Sequence, residues 1–60
     1  MFLVATIGKY HRPSKIISNT RSKRKALEIA KKYSEKYGIP IGIWEYTKSK
    51  WYGLIKVIER

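Results

Sequence analysis

Two short segments in the first half of the chain concentrate lysine and arginine and contain no acidic residue. Their basic and aromatic members are Lys9, Tyr10, His11, Arg12, Lys15, Arg21, Lys23, Arg24 and Lys25. The first acidic residue is Glu28, so seven cations precede any countercharge. Ammonium and guanidinium groups bind phosphate oxygens, and neighbouring hydroxyls such as those of Ser14 and Ser22 can add hydrogen bonds. We expect the two segments to converge in space and to contact a polyanion.

A second candidate surface lies near the C-terminal end of the sequence, where aromatic residues occur beside lysines. Its members are Trp44, Tyr46, Lys48, Lys50 and Trp51. Exposed aromatic rings can stack on nucleic-acid bases, at about 1–3 kcal/mol per base, or can anchor a protein partner. The alternative is structural, because a small domain needs large rings for its core. In that case Trp44 would cover Gly53 across a strand pair.

Tyr10 and His11 occupy the middle of a polar loop between Gly8 and Pro13. The tyrosine ring could stack on a base or enter a groove. It could equally fold back onto the protein. For the histidine, a solvated loop position is the simpler interpretation, although its protonation at low pH would add to the positive charge.

Catalytic chemistry has few residues available. The chain has one histidine, no cysteine and no aspartate. General acid–base catalysis would require two of its four glutamates to converge, and Glu28 and Glu35 are predicted on an exposed helix face. We therefore expect a protein that is not an enzyme and that uses no cofactor and no metal ion.

Length and charge restrict the classes of partner. A chain of 60 residues and 7.1 kDa allows a single domain spanning residues 1–60. Fourteen lysine and arginine residues against four glutamates give a net charge of +10. Such a field favours DNA, RNA or an anionic membrane surface as partner. No apolar run approaches the roughly 20 residues that a membrane span requires.

The first half of the chain predicts a hairpin followed by a helix. Residues 2–7 are apolar and rich in strand formers, and residues 15–18 can form a short second strand. Pairing Ile7 with Ser14 would set Ala5 against Ile16 and Leu3 against Ser18.

A helix then begins after Thr20 or Ser22, either of which can supply the N-cap oxygen. It ends at about Tyr37, because Gly38 can take the left-handed conformation and Pro40 blocks continuation. Its apolar residues lie on one stripe, as in an amphipathic helix.

Residues 41–46 and 51–58 predict a second hairpin across a turn at 47–50. Pairing Tyr46 with Trp51 would place Trp44 opposite Gly53. One face of this hairpin, predicted to be core, would carry Ile41, Ile43, Tyr52, Leu54 and Ile58. The other face would carry Trp44, Tyr46, Trp51, Ile55 and Val57. A one-residue shift in register would exchange the two faces.

The sequence therefore predicts an α+β fold of order ββαββ, with one amphipathic helix packed on a small, mainly antiparallel sheet. This order resembles small DNA-binding modules that read a groove with a sheet, and it also resembles many short viral accessory proteins. An exposed edge strand could pair two copies of the chain as a homodimer.

From these observations we expect a small nucleic-acid-binding protein that contacts the phosphate backbone of DNA or RNA. The alternative is a protein-interaction module, such as a viral accessory protein, that binds an acidic host protein through the aromatic face of the sheet. In both cases we expect a cytoplasmic location, in the host cell if the protein is viral.

Overall fold

The computed structural model describes residues 1–59 and confirms the α+β fold in the order ββαββ. Its elements are β1 (Phe2–Ile7), a short 3-10 turn (Lys9–His11), β2 (Pro13–Thr20), α1 (Lys23–Tyr37), β3 (Ile41–Tyr46) and β4 (Trp51–Ile58). The strands form one sheet in the spatial order β2-β1-β3-β4, and each neighbouring pair is antiparallel. The two central strands are therefore β1 and β3, and the edges are β2 and β4.

The helix begins and ends where its capping residues predict. Ser22 is the N-cap: its backbone is extended, and its hydroxyl accepts a hydrogen bond from the backbone N–H of Lys25 at 3.4 Å. At the other end Gly38 has a φ of 66°, and its N–H donates to the carbonyl of Ser34 at 2.8 Å. This left-handed conformation suits glycine because a side chain there would be strained.

One face of the sheet is covered by α1. Small residues at every fourth position of the helix, namely Ala26, Ala30 and Ser34, are buried against the sheet and let the helix backbone approach closely. The Ser34 hydroxyl is buried without a hydrogen-bond partner among the described residues, so its small volume explains its position better than its polarity does. Fully buried Val4 and Ile43 contribute about 1.5–3 kcal/mol each on this face.

The opposite face of the sheet is closed by the indole of Trp44, which is only 1% exposed. The ring lies against the backbone of Gly42. A Cβ atom at position 42 would come within 2.6 Å of Cη2 and 2.8 Å of Cζ3 of the ring. Around the indole, Leu3 and Ala5 are buried as a second hydrophobic cluster. The sheet therefore has a core on both faces, although residues 1–59 contain a single α-helix.

Two β-bulges in β4 change the faces that strict alternation predicts. Tyr46 pairs with Trp51 as expected, but Glu45 pairs with Gly53, so that Tyr52 is an extra residue. A second shift leaves Ile55 unpaired, because Trp44 pairs with Leu54 and Ile43 pairs with Lys56. The prediction that Leu54 shares the helix-covered face is wrong, since Leu54 packs with Trp44 on the other face. Because of the bulge at Tyr52, Trp44 pairs with Leu54, so the prediction that it lies opposite Gly53 is also wrong.

Strand β2 is longer than the predicted 15–18 and also has two irregularities. Ala5 pairs with Ile16 as expected, whereas Leu3 pairs with Asn19 and Ile7 pairs with Pro13. Bulges at both edges of the sheet interrupt the row of free backbone groups that a second copy would use. The homodimer through an edge strand stays a prediction. No helix within residues 1–59 has the length and apolar character needed to cross a membrane.

The contact between Trp44 and Gly42 can be tested by substitution. Gly42→Ala would place a methyl group where the buried ring lies, and we expect it to lower the free energy of unfolding by about 2–3 kcal/mol. Gly38→Ala is the matched control, because a Cβ there meets nothing within 4 Å. Its left-handed backbone should cost about 1 kcal/mol. Urea denaturation of both variants measures the difference, and an equal or smaller loss for Gly42→Ala would contradict the packing described.

Candidate nucleic-acid interface

The two basic segments of the first half of the chain lie at opposite ends of the sheet. The first follows β1 and the second follows β2, and Ile7 pairs with Pro13 whereas Phe2 pairs with Thr20. The eight residues of β2 separate the loop at 9–12 from the helix start, by about 23 Å at roughly 3.3 Å per residue. Lys15 belongs to the first segment and lies within β2, nearer to the loop than to the helix. The expectation that they converge is wrong, because β2 runs the full length of β1 before the helix begins.

The helix start instead shares an end of the sheet with the β3–β4 turn. Phe2 of β1 pairs with Thr20 on one side and with Glu45 on the other, so the segments that follow Thr20 and Tyr46 begin at the same end of the sheet, with β1 between them. We call this region the basic end and define it by six exposed cations: Arg21, Lys23, Arg24, Lys25, Lys48 and Lys50. The acidic residues on α1 and β3 are Glu28, Glu35 and Glu45, and Glu35 lies near the far end of the helix, so positive charge remains in excess at the basic end.

Hydrogen bonds fix the conformation of the turn that carries two of these cations. The backbone N–H of Thr47 donates to the carbonyl of Lys50 at 2.7 Å. In return, the hydroxyl of Thr47 accepts the backbone N–H of Lys50 at 3.1 Å. The turn is closed on both sides, so Lys48 and Lys50 project from an ordered hairpin.

The predicted aromatic surface divides into a buried and an exposed part. Trp44 is in the core, as the structural alternative expects, so its buried ring is not available to stack on a ligand or a partner. Trp51 is 54% exposed and stacks on Tyr46, with ring centroids 6.1 Å apart and an interplanar angle of 27°. Tyr46 is half-buried, and its hydroxyl accepts a hydrogen bond from the side-chain amide of Asn19.

Tyr52 is a surface residue that strand alternation assigns to the core. Its ring is 54% exposed and lies beneath the ammonium group of Lys50, which is 5.0 Å from the ring centroid. The cause is the bulge that leaves Tyr52 unpaired. Gly53, whose φ is 99°, is the sequence signal for that bulge, because a glycine inside a strand often marks one.

The other end of the sheet carries the loop with Tyr10 at its tip. Tyr10 is 89% exposed, so its ring does not fold back onto the protein. Tyr10 and His11 both have positive φ, at 58° and 57°. Two bonds close the loop, from the N–H of Gly8 to the carbonyl of Arg12 at 2.7 Å and from the N–H of Arg12 to the carbonyl of Lys9 at 3.2 Å. Such a conformation costs about 1 kcal/mol per residue and persists only where neighbouring contacts impose it.

One of those contacts comes from the core. The indole Nε1–H of Trp44 donates to the backbone carbonyl of His11 at 2.9 Å. The side chain of His11 is exposed, as expected for a solvated loop histidine, and Lys9, Arg12 and Lys15 are exposed as well. The loop is therefore a second, smaller cationic site that is held in place by a buried residue of β3.

Comparison with protein-family models, with curated proteins and with solved structures found no match for this chain.

In the part of the chain that the structure describes, no three histidine or acidic side chains come together as a metal site would require. Exposed cations and exposed aromatic rings are present at both ends of the sheet. At the basic end these two features adjoin.

The substitution Trp44→Phe separates the packing of the ring on Gly42 from the hydrogen bond that its N–H donates to the loop. A phenyl ring still covers Gly42, but the hydrogen bond to the His11 carbonyl is lost. We expect the free energy of unfolding to fall by about 1–3 kcal/mol from the lost bond and the reduced volume. We also expect amide hydrogen exchange at Gly8 and Arg12 to accelerate by more than the global loss of stability explains. Unchanged relative protection of these two amides would show that the loop does not depend on the indole.

Proposed function

We propose that this chain is a non-enzymatic nucleic-acid-binding protein whose principal contact surface is the basic end. The observation that carries the proposal is the meeting of two separate cationic segments, the helix start and the β3–β4 turn, beside exposed aromatic rings. Phosphate oxygens accept hydrogen bonds from such cations without regard to sequence. The proposal covers both DNA and RNA, and it includes a cytoplasmic location in the protein's own cell or in a host.

The first turn of α1 supports an anionic ligand at this end. That turn contains no acidic residue, and Arg21, Lys23, Arg24 and Lys25 surround it. Cations at a helix N-terminus are disfavoured by the helix dipole, so this arrangement lowers the stability of the free protein. A phosphate group bound there would be favoured by the dipole and by the cations together.

The loop at the far end extends the proposed contact. The molecule is 33 Å along its longest axis, so Lys9 and Arg12 would reach phosphates well separated from those at the basic end. We propose this loop as a secondary contact, since it offers fewer cations than the basic end does.

A second candidate function is the binding of an acidic protein partner through β4. The observation that favours it is the exposure of four large apolar residues on this edge strand, namely Trp51, Tyr52, Ile55 and Val57. Exposed aromatic residues are enriched at the centres of protein interfaces. The cations of the basic end would then accelerate association with an acidic surface.

Binding to nucleic acid should depend steeply on salt. If the basic end neutralises about five phosphates of a duplex, the slope of log K against log salt concentration is about −4.5. Affinity should then fall several hundred-fold between 50 and 200 mM salt. In the double variant Lys23→Gln/Lys25→Gln we expect about ten- to hundredfold weaker binding and a slope smaller by about 1.8, measured by fluorescence anisotropy.

The matched control is Lys31→Gln/Lys32→Gln, which removes the same charge from the middle of the same helix. Both lysines are exposed there and lie away from the basic end. We expect the control to retain most of the affinity and the slope. Equal losses in the two variants would mean that net charge alone governs binding, and absence of binding at 50 mM salt would refute the proposed function.

A further inference from the structure

The exposed ring of Trp51 is held in a fixed position at the basic end. Tyr46 stacks on one side of it, and Tyr46 is itself held by the amide of Asn19 and by the hydrophobic cluster around Trp44. The indole is 54% exposed, so much of its surface is free to contact a ligand. A ring held in this way loses little conformational entropy when it binds, which favours a planar partner.

Two lysines precede Trp51 closely in the sequence. Lys48 and Lys50 belong to the closed turn immediately before Trp51, and the ammonium group of Lys50 lies over the ring of Tyr52. The cations of the helix start lie at the same end of the sheet. A strand whose base stacks on Trp51 would therefore keep its backbone phosphates among lysine and arginine side chains.

The exposed aromatic rings at the basic end favour a single strand over a duplex as the ligand. In a duplex the base faces are covered by their neighbours, and only base edges and phosphates remain accessible. The bulges at Tyr52 and Ile55 also make this edge irregular, unlike the regular two-stranded ribbon that a major groove accepts.

We infer that the basic end binds single-stranded nucleic acid, with one base stacked on Trp51 and the flanking phosphates held by Lys48, Lys50 and the helix start. This inference rests on the proposed function and adds the class of nucleic acid and the residue that contacts the bases. Stacking on an aromatic ring tolerates any base sequence, so little sequence preference is expected.

Three ligands of equal length test the inference with the unmodified protein: an oligo-dT of about 12 nucleotides, a duplex, and a strand of the same backbone that lacks bases. We expect the single strand to bind more tightly than the other two at 100 mM salt. Its salt slope should be nearer −3.5 than −4.5 for about five phosphates, because a single strand releases fewer counterions per contact. Tryptophan emission should be quenched on binding, since a base would contact the exposed indole.

Substitutions then test whether the tighter binding of oligo-dT depends on the ring of Trp51. We expect Trp51→Ala to weaken oligo-dT binding at least fivefold and to leave the affinity for the strand without bases unchanged. Trp51→Phe should retain part of the affinity and should abolish the quenching, because the remaining Trp44 is buried. Tyr37→Ala is the matched control, since Tyr37 is 56% exposed at the opposite end of the helix. We expect it to bind oligo-dT as the unmodified protein does.

The outcomes separate this inference from the proposed function. Tighter binding to the duplex, or equal binding to the strand without bases, would overturn the inference while the Lys23→Gln/Lys25→Gln result still supported nucleic-acid binding. Equal losses for Trp51→Ala and Tyr37→Ala would overturn it as well. Failure of all three ligands to bind at 50 mM salt would overturn both.

Discussion

The packing of the Trp44 indole on the backbone of Gly42 determines how this chain closes a sheet that has one covering helix. A domain of 60 residues has little apolar surface to bury, and its sheet has two faces. The helix covers one face. On the other, the Trp44 ring is the largest buried side chain, and Ile7, Tyr46 and Leu54 pack with it around Leu3 and Ala5. The ring fits there because position 42 carries no side chain.

The same ring connects the core to the surface. Its N–H holds the carbonyl of His11, so the loop that exposes Tyr10 depends on a residue of the central strand β3. Of the neighbouring aromatic residues, Tyr46 packs against the cluster around Trp44. Trp51 remains exposed beside the cations of the basic end. The proposed binding of a planar, anionic ligand at the basic end requires this division between one structural and one exposed tryptophan.

Local signals were enough to predict the helix and most strand boundaries. Ser22 and Gly38 satisfy backbone groups within a few residues of themselves, so the ends of α1 follow from short-range chemistry. The register of β4 follows only in part, since Gly53 marks the bulge at Tyr52. No comparable local signal marks the bulge at Ile55, next to Leu54, which packs against Trp44 across the sheet. Alternation correctly placed Trp44 and Trp51 on one face.

The sequence predicts the wrong pair of neighbouring cationic segments, and the reason is the order of the strands in the sheet. A basic loop and a basic helix start that are close in the sequence lie apart, because β2 spans the sheet between them. The partner of the helix start is the β3–β4 turn, which comes more than twenty residues later in the sequence. Likewise, Trp44 and Trp51 differ in burial because one lies on a central strand and the other at the end of an edge strand. Strand order sets both features, and it is not a local property of the sequence.

Exchange of the two indole N–H protons with solvent, measured by NMR in the free protein, tests this division between the tryptophans most directly. The chain contains two tryptophans, so two signals are expected. The Nε1–H of Trp44 should exchange slowly, at a rate similar to those of the backbone amides of β1 and β3, because it is buried and hydrogen-bonded. The Nε1–H of Trp51 should exchange at close to the rate of a free indole. Rapid exchange of both protons, or protection of Trp51 equal to that of Trp44, would contradict the structure of the second face and the availability of the basic end.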